Sequence, residues 1–131
     1  MWGITSAATV RPAIYDLAIG SAATPADNAW HFRLGRYTTA GTSTAFTPIA
    51  LDPADPASLA ASGFNHSVEP GYTGSAYLLD LSGNQRAAVR WIAAPGGELK
   101  MPATAANGIG CLSQTVGGSA VAMVFTVHFE E

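Results

Sequence analysis

Hydrophobic and polar residues alternate most regularly near the C-terminus of the chain, over residues 119–129. Successive side chains of a β-strand point to opposite faces, so alternate residues share one face. This places five apolar residues together on one face: Val121, Met123, Phe125, Val127 and Phe129. Because the opposite face is mixed, the pattern predicts a long strand in a central position of a sheet.

Shorter patterns of the same kind predict strands over residues 13–19, 29–38 and 109–114. In the second of these, Trp30, Phe32 and Leu34 share a face that we expect to be buried. Residues 75–81 and 85–93 are predicted to form a hairpin around Ser82-Gly83-Asn84, since Gly and Asn tolerate positive φ. The core face of its second arm would carry Val89 and Trp91.

Two parts of the chain lack a clear period. Residues 39–73 are predicted to be largely irregular, with turns at Asp52-Pro53 and Asp55-Pro56 and one or two helical turns over residues 56–62. A long irregular segment in a small domain is often functional or interfacial. At the N-terminus, residues 1–12 predict an edge strand or an arm, because Pro12 interrupts the apolar pattern.

Seven or eight short strands at spacings near 10 residues predict an all-β fold. We expect residues 1–131 to form a single-domain antiparallel β-sandwich or jelly roll with a long irregular central segment. We expect its rigid core to be formed by Val89, Trp91, Val121, Met123, Phe125, Val127 and Phe129.

The composition changes this picture at the surface. Hydrophobic residues make up 48% of the 131-residue chain and charged residues only 11%, against a usual share of roughly 25%. Lys100 is the single lysine. Interfaces are depleted in Lys and Glu, so the composition favours a subunit of an assembly, and an Ala-rich coding bias explains it equally well. The net charge of −3, with no basic stripe, argues against nucleic acid as a partner.

The chain offers little material for chemistry. Cys111 lies in an apolar run that favours a buried core residue. His31, His66 and His128 lack metal-ligand spacing, and the Asp52 and Asp55 pair is better explained by turn capping. There is no phosphate-binding glycine loop and no serine elbow. We therefore predict no enzyme, no catalytic or metal residues and no cofactor, and we see neither a signal peptide nor a membrane span.

Several motifs resemble those of small virion proteins encoded by tailed bacteriophages and prophages. They are D-P-A-D-P-A-S-L-A (52–60), N-H-S-V-E-P-G-Y-T (65–73), N-Q-R-A-A-V-R-W-I-A-A-P-G-G-E-L (84–99), P-A-T-A-A-N-G-I-G (102–110) and H-F-E-E (128–131). The resemblance covers most of the chain from Ala29 onwards. It implies a structural protein of the particle without catalytic residues, foremost a capsid decoration or cement protein. Lys100 departs from the strand pattern and marks an exposed edge.

The leading hypothesis is therefore a decoration protein made in the host cytoplasm and located in the virion. It would bind the major capsid protein or other virion proteins as a homo-oligomer, with a trimer favoured. A small adhesin that binds glycan through Phe64 and Tyr72 and a cupin-like metalloenzyme remain as alternatives. The residues predicted to contact a partner lie in the N-terminal and central segments: Trp2, Ile4, Arg11, Phe46, Phe64, His66 and Tyr72.

Overall fold

Antiparallel strands dominate the computed structural model, which describes residues 1–74 and 77–131. Within these residues the chain forms eleven strands and no helix. The strands are β1 (Trp2–Thr5), β2 (Ala13–Ser21), β3 (Ala29–Thr39), β4 (Thr42–Phe46), β5 (Ala61–Val68), β6 (Gly71–Tyr72), β7 (Leu79–Asn84), β8 (Val89–Ile92), β9 (Leu99–Lys100), β10 (Gly108–Ser113) and β11 (Met123–Glu130). No helix of the described chain is long and apolar enough to cross a bilayer.

The strands form two sheets of unequal width. Sheet A has the order β4-β5-β1-β10-β3, and both β6 and β7 pair with the remaining edge of β3. Sheet B has the order β11-β2, with β8 and β9 both paired to the other edge of β2. The predicted all-β, antiparallel, sandwich-like fold is confirmed. Lys100 is exposed in β9, at an edge, as its charge indicated.

The two sheets are joined by a row of aromatic rings. The ring of Phe125 in β11 lies 4.9 Å from Phe32, edge to face, and 6.3 Å from Trp2, while Trp30 lies 5.6 Å from Phe32. Ring pairs at such distances and angles add to the energy of burial. Fully or nearly fully buried aliphatic residues surround these rings: Ile4, Ile14, Leu17, Ile19, Leu34, Met101 and Ile109.

The burial and position of β11 differ from the prediction that it forms the core as a central strand. Its apolar face does point inward, but Met123, Phe125, Val127 and Phe129 are only partly buried. Among the described strands β11 pairs with β2 alone, so it is the edge of sheet B and not a central strand. Val121 precedes the strand, and Val89 and Trp91 of β8 are partly buried as well.

The N-terminal segment is neither an arm nor an edge strand, and that prediction is wrong. Strand β1 lies between β5 and β10 and pairs with both along its whole length. Trp2 and Ile4 are consequently buried in the core. Pro12 does not disturb the strand, because β1 ends at Thr5 and the chain then passes over to sheet B.

The central segment is more regular than its sequence indicated. Residues 39–73 contain β4, β5 and β6, and residues 56–62 form no helical turn. Every residue of β4 is exposed and β5 is mostly exposed, so no buried face produced an alternating pattern. Residues 47–60 are the longest stretch of this segment without strand structure.

The predicted hairpin is also wrong, because its two arms belong to different sheets. Strand β7 continues through Ser82-Gly83-Asn84 and pairs with β3, whereas β8 pairs with β2 in sheet B; Ser75 and Ala76 of the first arm lie outside the described residues. The Trp30 ring packs over Gly83, where it leaves no room for a Cβ. The chain changes sheets at buried Gln85, whose side chain donates to the Ser119 carbonyl at 2.7 Å and accepts from the Ala26 amide at 3.2 Å.

A row of glycines crosses the outer face of sheet A. Gly63, Gly3, Gly110 and Gly35 are direct register partners in β5, β1, β10 and β3. The rings of Tyr37 and Tyr72 lie over Gly3, Gly110 and Gly35, 6.1 Å apart and edge to face, whereas Gly63 faces the side chain of Ser43. Because the tyrosines occupy the space that side chains would take, they cover this part of the outer face with residues of the same chain.

We predict that Gly110→Ala destabilises the protein by about 1–3 kcal/mol, because overpacking forces the tyrosines or the sheet to move. A Cβ at Gly110 would lie 2.7 Å from the Tyr72 hydroxyl and 3.2 Å from the Tyr37 ring. The matched control is Gly117→Ala, whose Cβ would have no neighbour within 4 Å and should change stability by less than about 0.5 kcal/mol. Urea unfolding of both variants measures the difference.

A second substitution tests whether the contact with Tyr72 causes the loss of stability in Gly110→Ala. The Tyr72 hydroxyl is buried and has no hydrogen-bond partner among the described residues. Adding Tyr72→Phe to Gly110→Ala should therefore restore part of the lost stability, as a non-additive double-mutant cycle. Additive effects, or equal losses for the two glycine variants, would contradict this account of the glycine row.

Candidate functional site

A broad, open cleft lies on one side of the sandwich, and its volume is about 1510 Å³. Phe46 of β4 and Ser62 and Phe64 of β5 line it on sheet A, and β11 lines it on sheet B, together with the irregular residues 47–60. Sheet A has seven strands and sheet B has four, so the wall on sheet B is formed by the edge strand of the narrower sheet.

The wall on sheet A is apolar and carries two unpaired polar atoms. Trp2 and Ile4 form its floor, and the rings of Phe46 and Phe64 lie 5.8 Å apart above them. The indole Nε1 of Trp2 and the hydroxyl of Ser62 are buried without a hydrogen-bond partner among the described residues. Buried polar groups without partners are costly, so a molecule that reached them would remove a penalty.

The opposite wall is the edge strand β11. Its inward face presents the partly buried Phe125, Val127 and Phe129 to the cleft. These side chains form one side of the core and one side of the cleft. Their incomplete burial follows from the absence of a further described strand beyond β11.

The rim is the most exposed apolar part of the described chain. Ile49 is 92% exposed and Leu51 is 74% exposed, and Leu59 is exposed as well. Monomeric proteins seldom expose contiguous apolar patches unless another molecule covers them. Phe46 and Phe64 continue the patch from the rim into the cleft.

The Glu131 carboxylate fastens one end of the rim to the C-terminus. It accepts hydrogen bonds from the amides of Leu59 at 2.9 Å and Ala60 at 2.8 Å, and from the Ser58 hydroxyl. Burial alone would raise the pKa of Glu131, but these three donors stabilise the ionised form and lower its pKa. The clamp holds residues 58–60 against the sandwich and leaves Ile49 and Leu51 outside it.

The structure brings together four of the seven residues predicted to contact a partner. Trp2, Ile4, Phe46 and Phe64 all line the cleft, although the first two are buried at its floor. The other three lie outside its lining: Arg11 is exposed, His66 has a buried and unpartnered Nδ1, and Tyr72 covers the glycine row.

The glycan alternative required Phe64 and Tyr72 on one surface. Phe64 lines the cleft beside Trp2, its register partner in β1, whereas the ring of Tyr72 lies over glycines on the outer face of sheet A. The two rings therefore belong to opposite faces of one sheet and do not form a common stacking platform.

Sequence reasoning missed Ile49, Leu51 and Leu59. The signal was present as T-P-I-A-L, in which Ile49 and Leu51 are separated by one residue just after a proline. This apolar alternation is too short to predict a strand, so these residues were assigned to the irregular segment. Nothing in the sequence indicates that both side chains remain in solvent.

Two charged networks tie neighbouring strands together, and one of them borders the cleft through His128. Asp16 accepts from Arg90 at 2.9 and 2.7 Å and contacts His128 Nδ1 at 3.1 Å. The Arg90 hydrogen bonds, opposed by burial and aided by His128, lower the pKa of Asp16 to about 2. On sheet A, Asp80 pairs with His31 and, at 3.0 Å, with Arg33. Each carboxylate is thus a cross-strand acceptor already bound by arginine.

Metal and thiol chemistry find no assembled group here. Within residues 1–74 and 77–131 no three His, Cys, Asp or Glu side chains converge on a point that could hold a metal ion. Cys111 is fully buried, and burial raises the pKa of its thiol to about 12, which keeps it protonated near neutral pH. Its predicted place in the core is confirmed.

Comparisons with known proteins add no relative. No family model, curated protein sequence or solved structure matches the chain. The cleft and its rim are therefore interpreted from their own geometry.

We predict that Glu131→Gln loosens the rim. The neutral amide is a weaker acceptor than a carboxylate, so hydrogen exchange at the amides of Leu59 and Ala60 should accelerate by about 10-fold or more. The matched control is Glu130→Gln, a change in the neighbouring exposed residue, which should leave both rates unchanged. Equal exchange in the two variants, measured by NMR, would show that the Glu131 clamp does not hold the rim.

Proposed function

We propose that this protein is a structural subunit of a larger protein assembly, and that the assembly is the head of a tailed phage, which it decorates and stabilises. The observation that carries the proposal is the cleft: an apolar wall, an edge strand and an exposed apolar rim lie together on one side of the sandwich. Contiguous exposed apolar surfaces of this kind mark sites where another molecule binds, and we propose that this molecule is a protein.

The sparse charge of the chain supports the same function. Charged residues are depleted at the centres of protein interfaces, and only 11% of this chain is charged. The two carboxylate networks fasten strands to one another, so they serve the rigidity that a shell component needs. The resemblance of the motifs at 52–60, 65–73, 84–99, 102–110 and 128–131 to virion proteins supports the phage head as the assembly.

The function is tested by adding purified protein to phage heads assembled without it. We expect saturable binding at a fixed ratio to the major capsid protein and a higher melting temperature of the decorated heads, because a ligand that binds only the assembled state stabilises it. Heads that already carry the full complement should bind no more and serve as the control. Absence of stoichiometric binding, measured by co-sedimentation, would refute a decoration function.

A further inference from the structure

We propose that a second copy of this chain covers the cleft, with residues 47–51 of each copy lying in the cleft of the other. This inference rests on the proposed assembly function and names the first partner of the cleft. The cleft is the acceptor surface and residues 47–51 are the donor segment, and each copy of the chain carries both.

The acceptor is longer than the donor segment. At about 3.4 Å per residue, the eight residues of β11 span about 27 Å and the five residues 47–51 span about 17 Å when extended. Within the described residues β11 pairs only with β2, so the backbone groups along its other edge are available for pairing.

The donor is the rim segment itself. Residues 47–51, T-P-I-A-L, are uncharged and belong to no strand in the described chain. Ile49 and Leu51 stand two residues apart, so an extended backbone presents both to the same side. The segment follows β4 directly, and residues 52–57 separate it from residues 58–60, which the Glu131 carboxylate holds.

A second copy fits this arrangement better than an unrelated partner because donor and acceptor are parts of the same patch. When one surface supplies both halves of a contact, a two-fold axis satisfies both copies at once and closes the assembly. The contact would cover Ile49 and Leu51 of each copy together with Phe46 and Phe64 of the other. This favours a two-fold dimer over the trimer that the sequence indicated.

The first test is the oligomeric state, measured by sedimentation equilibrium over a range of concentrations. We expect wild-type dimers, and a dissociation constant at least about 100-fold higher for the double variant Ile49→Ser with Leu51→Ser, which removes two buried aliphatic side chains per copy. The matched control is Ile92→Ser with Val124→Ser, at positions 60% and 53% exposed outside the cleft lining, which should remain dimeric. Thermal unfolding confirms that each variant is folded.

The second test locates the segment. Copies with Ile49→Cys and copies with Val127→Cys, carrying different tags, are mixed under oxidising conditions. We expect disulfide-linked pairs of the two tags, and none when Val124→Cys replaces Val127→Cys, since alternate residues of β11 face opposite sides. The native Cys111 is fully buried and does not compete.

The outcomes separate this inference from the proposed function. A wild-type monomer, a trimer, or a dimer that survives the Ile49 and Leu51 changes would overturn the reciprocal dimer. If such a protein still bound phage heads, the assembly function would stand and only its partner in the cleft would change. A dimer with the expected cross-link that bound no heads would leave the dimer intact and remove the decoration function.

Discussion

The unequal width of the two sheets is the constraint on which the rest of the structure depends. Sheet A continues through β1 to β5 and β4, while sheet B ends at β11. A sheet needs something packed against its apolar face, and the chain supplies that cover only for part of sheet A. The cleft, the partly buried face of β11 and the exposed rim all follow from this mismatch.

The two faces of sheet A are covered differently: side chains of the same chain cover part of the outer face, and the cleft lies on the inner face. Glycines at matching positions of β1, β10 and β3 leave space for the rings of Tyr37 and Tyr72. Burial raises the pKa of both phenols, as expected for rings enclosed by protein. This part of the outer face is covered by the chain's own residues, whereas the cleft on the inner face carries the exposed rings of Phe46 and Phe64.

Strong local patterns in the sequence were enough to predict the fold class and several strands. Trp30, Phe32 and Leu34 alternate because β3 has one buried face, and Cys111 is buried because it lies within β10. The edge position of β11 could not be predicted, since the same apolar face suits a core and a cleft. Whether a strand is central or at an edge depends on which distant strands pair with it. The alternation of residues within the strand carries no information about those partners.

The misassigned hairpin and N-terminus have the same cause. Gly83 and Asn84 resemble a turn, yet Gly83 serves close packing by the Trp30 ring, and the chain changes sheet at Gln85 instead. The segment with Trp2 and Ile4 was predicted to be an arm or an edge strand. The four-residue strand β1 is too short for its sequence pattern to show that it pairs with a neighbour on each side. Of the candidate site, Phe64 was identifiable as an unexplained aromatic residue in an irregular segment and Phe46 was among the predicted contact residues, whereas Ile49 and Leu51 needed their exposure to be seen.

The central claim, that the cleft is the surface covered on assembly, is tested most directly by hydrogen–deuterium exchange with mass spectrometry on dilute and on assembled protein. The account predicts that protection increases in peptides from residues 42–64 and 121–131, which line the cleft, and stays constant in peptides from β8. Unchanged exchange in the cleft peptides, or new protection confined to β8, would contradict it.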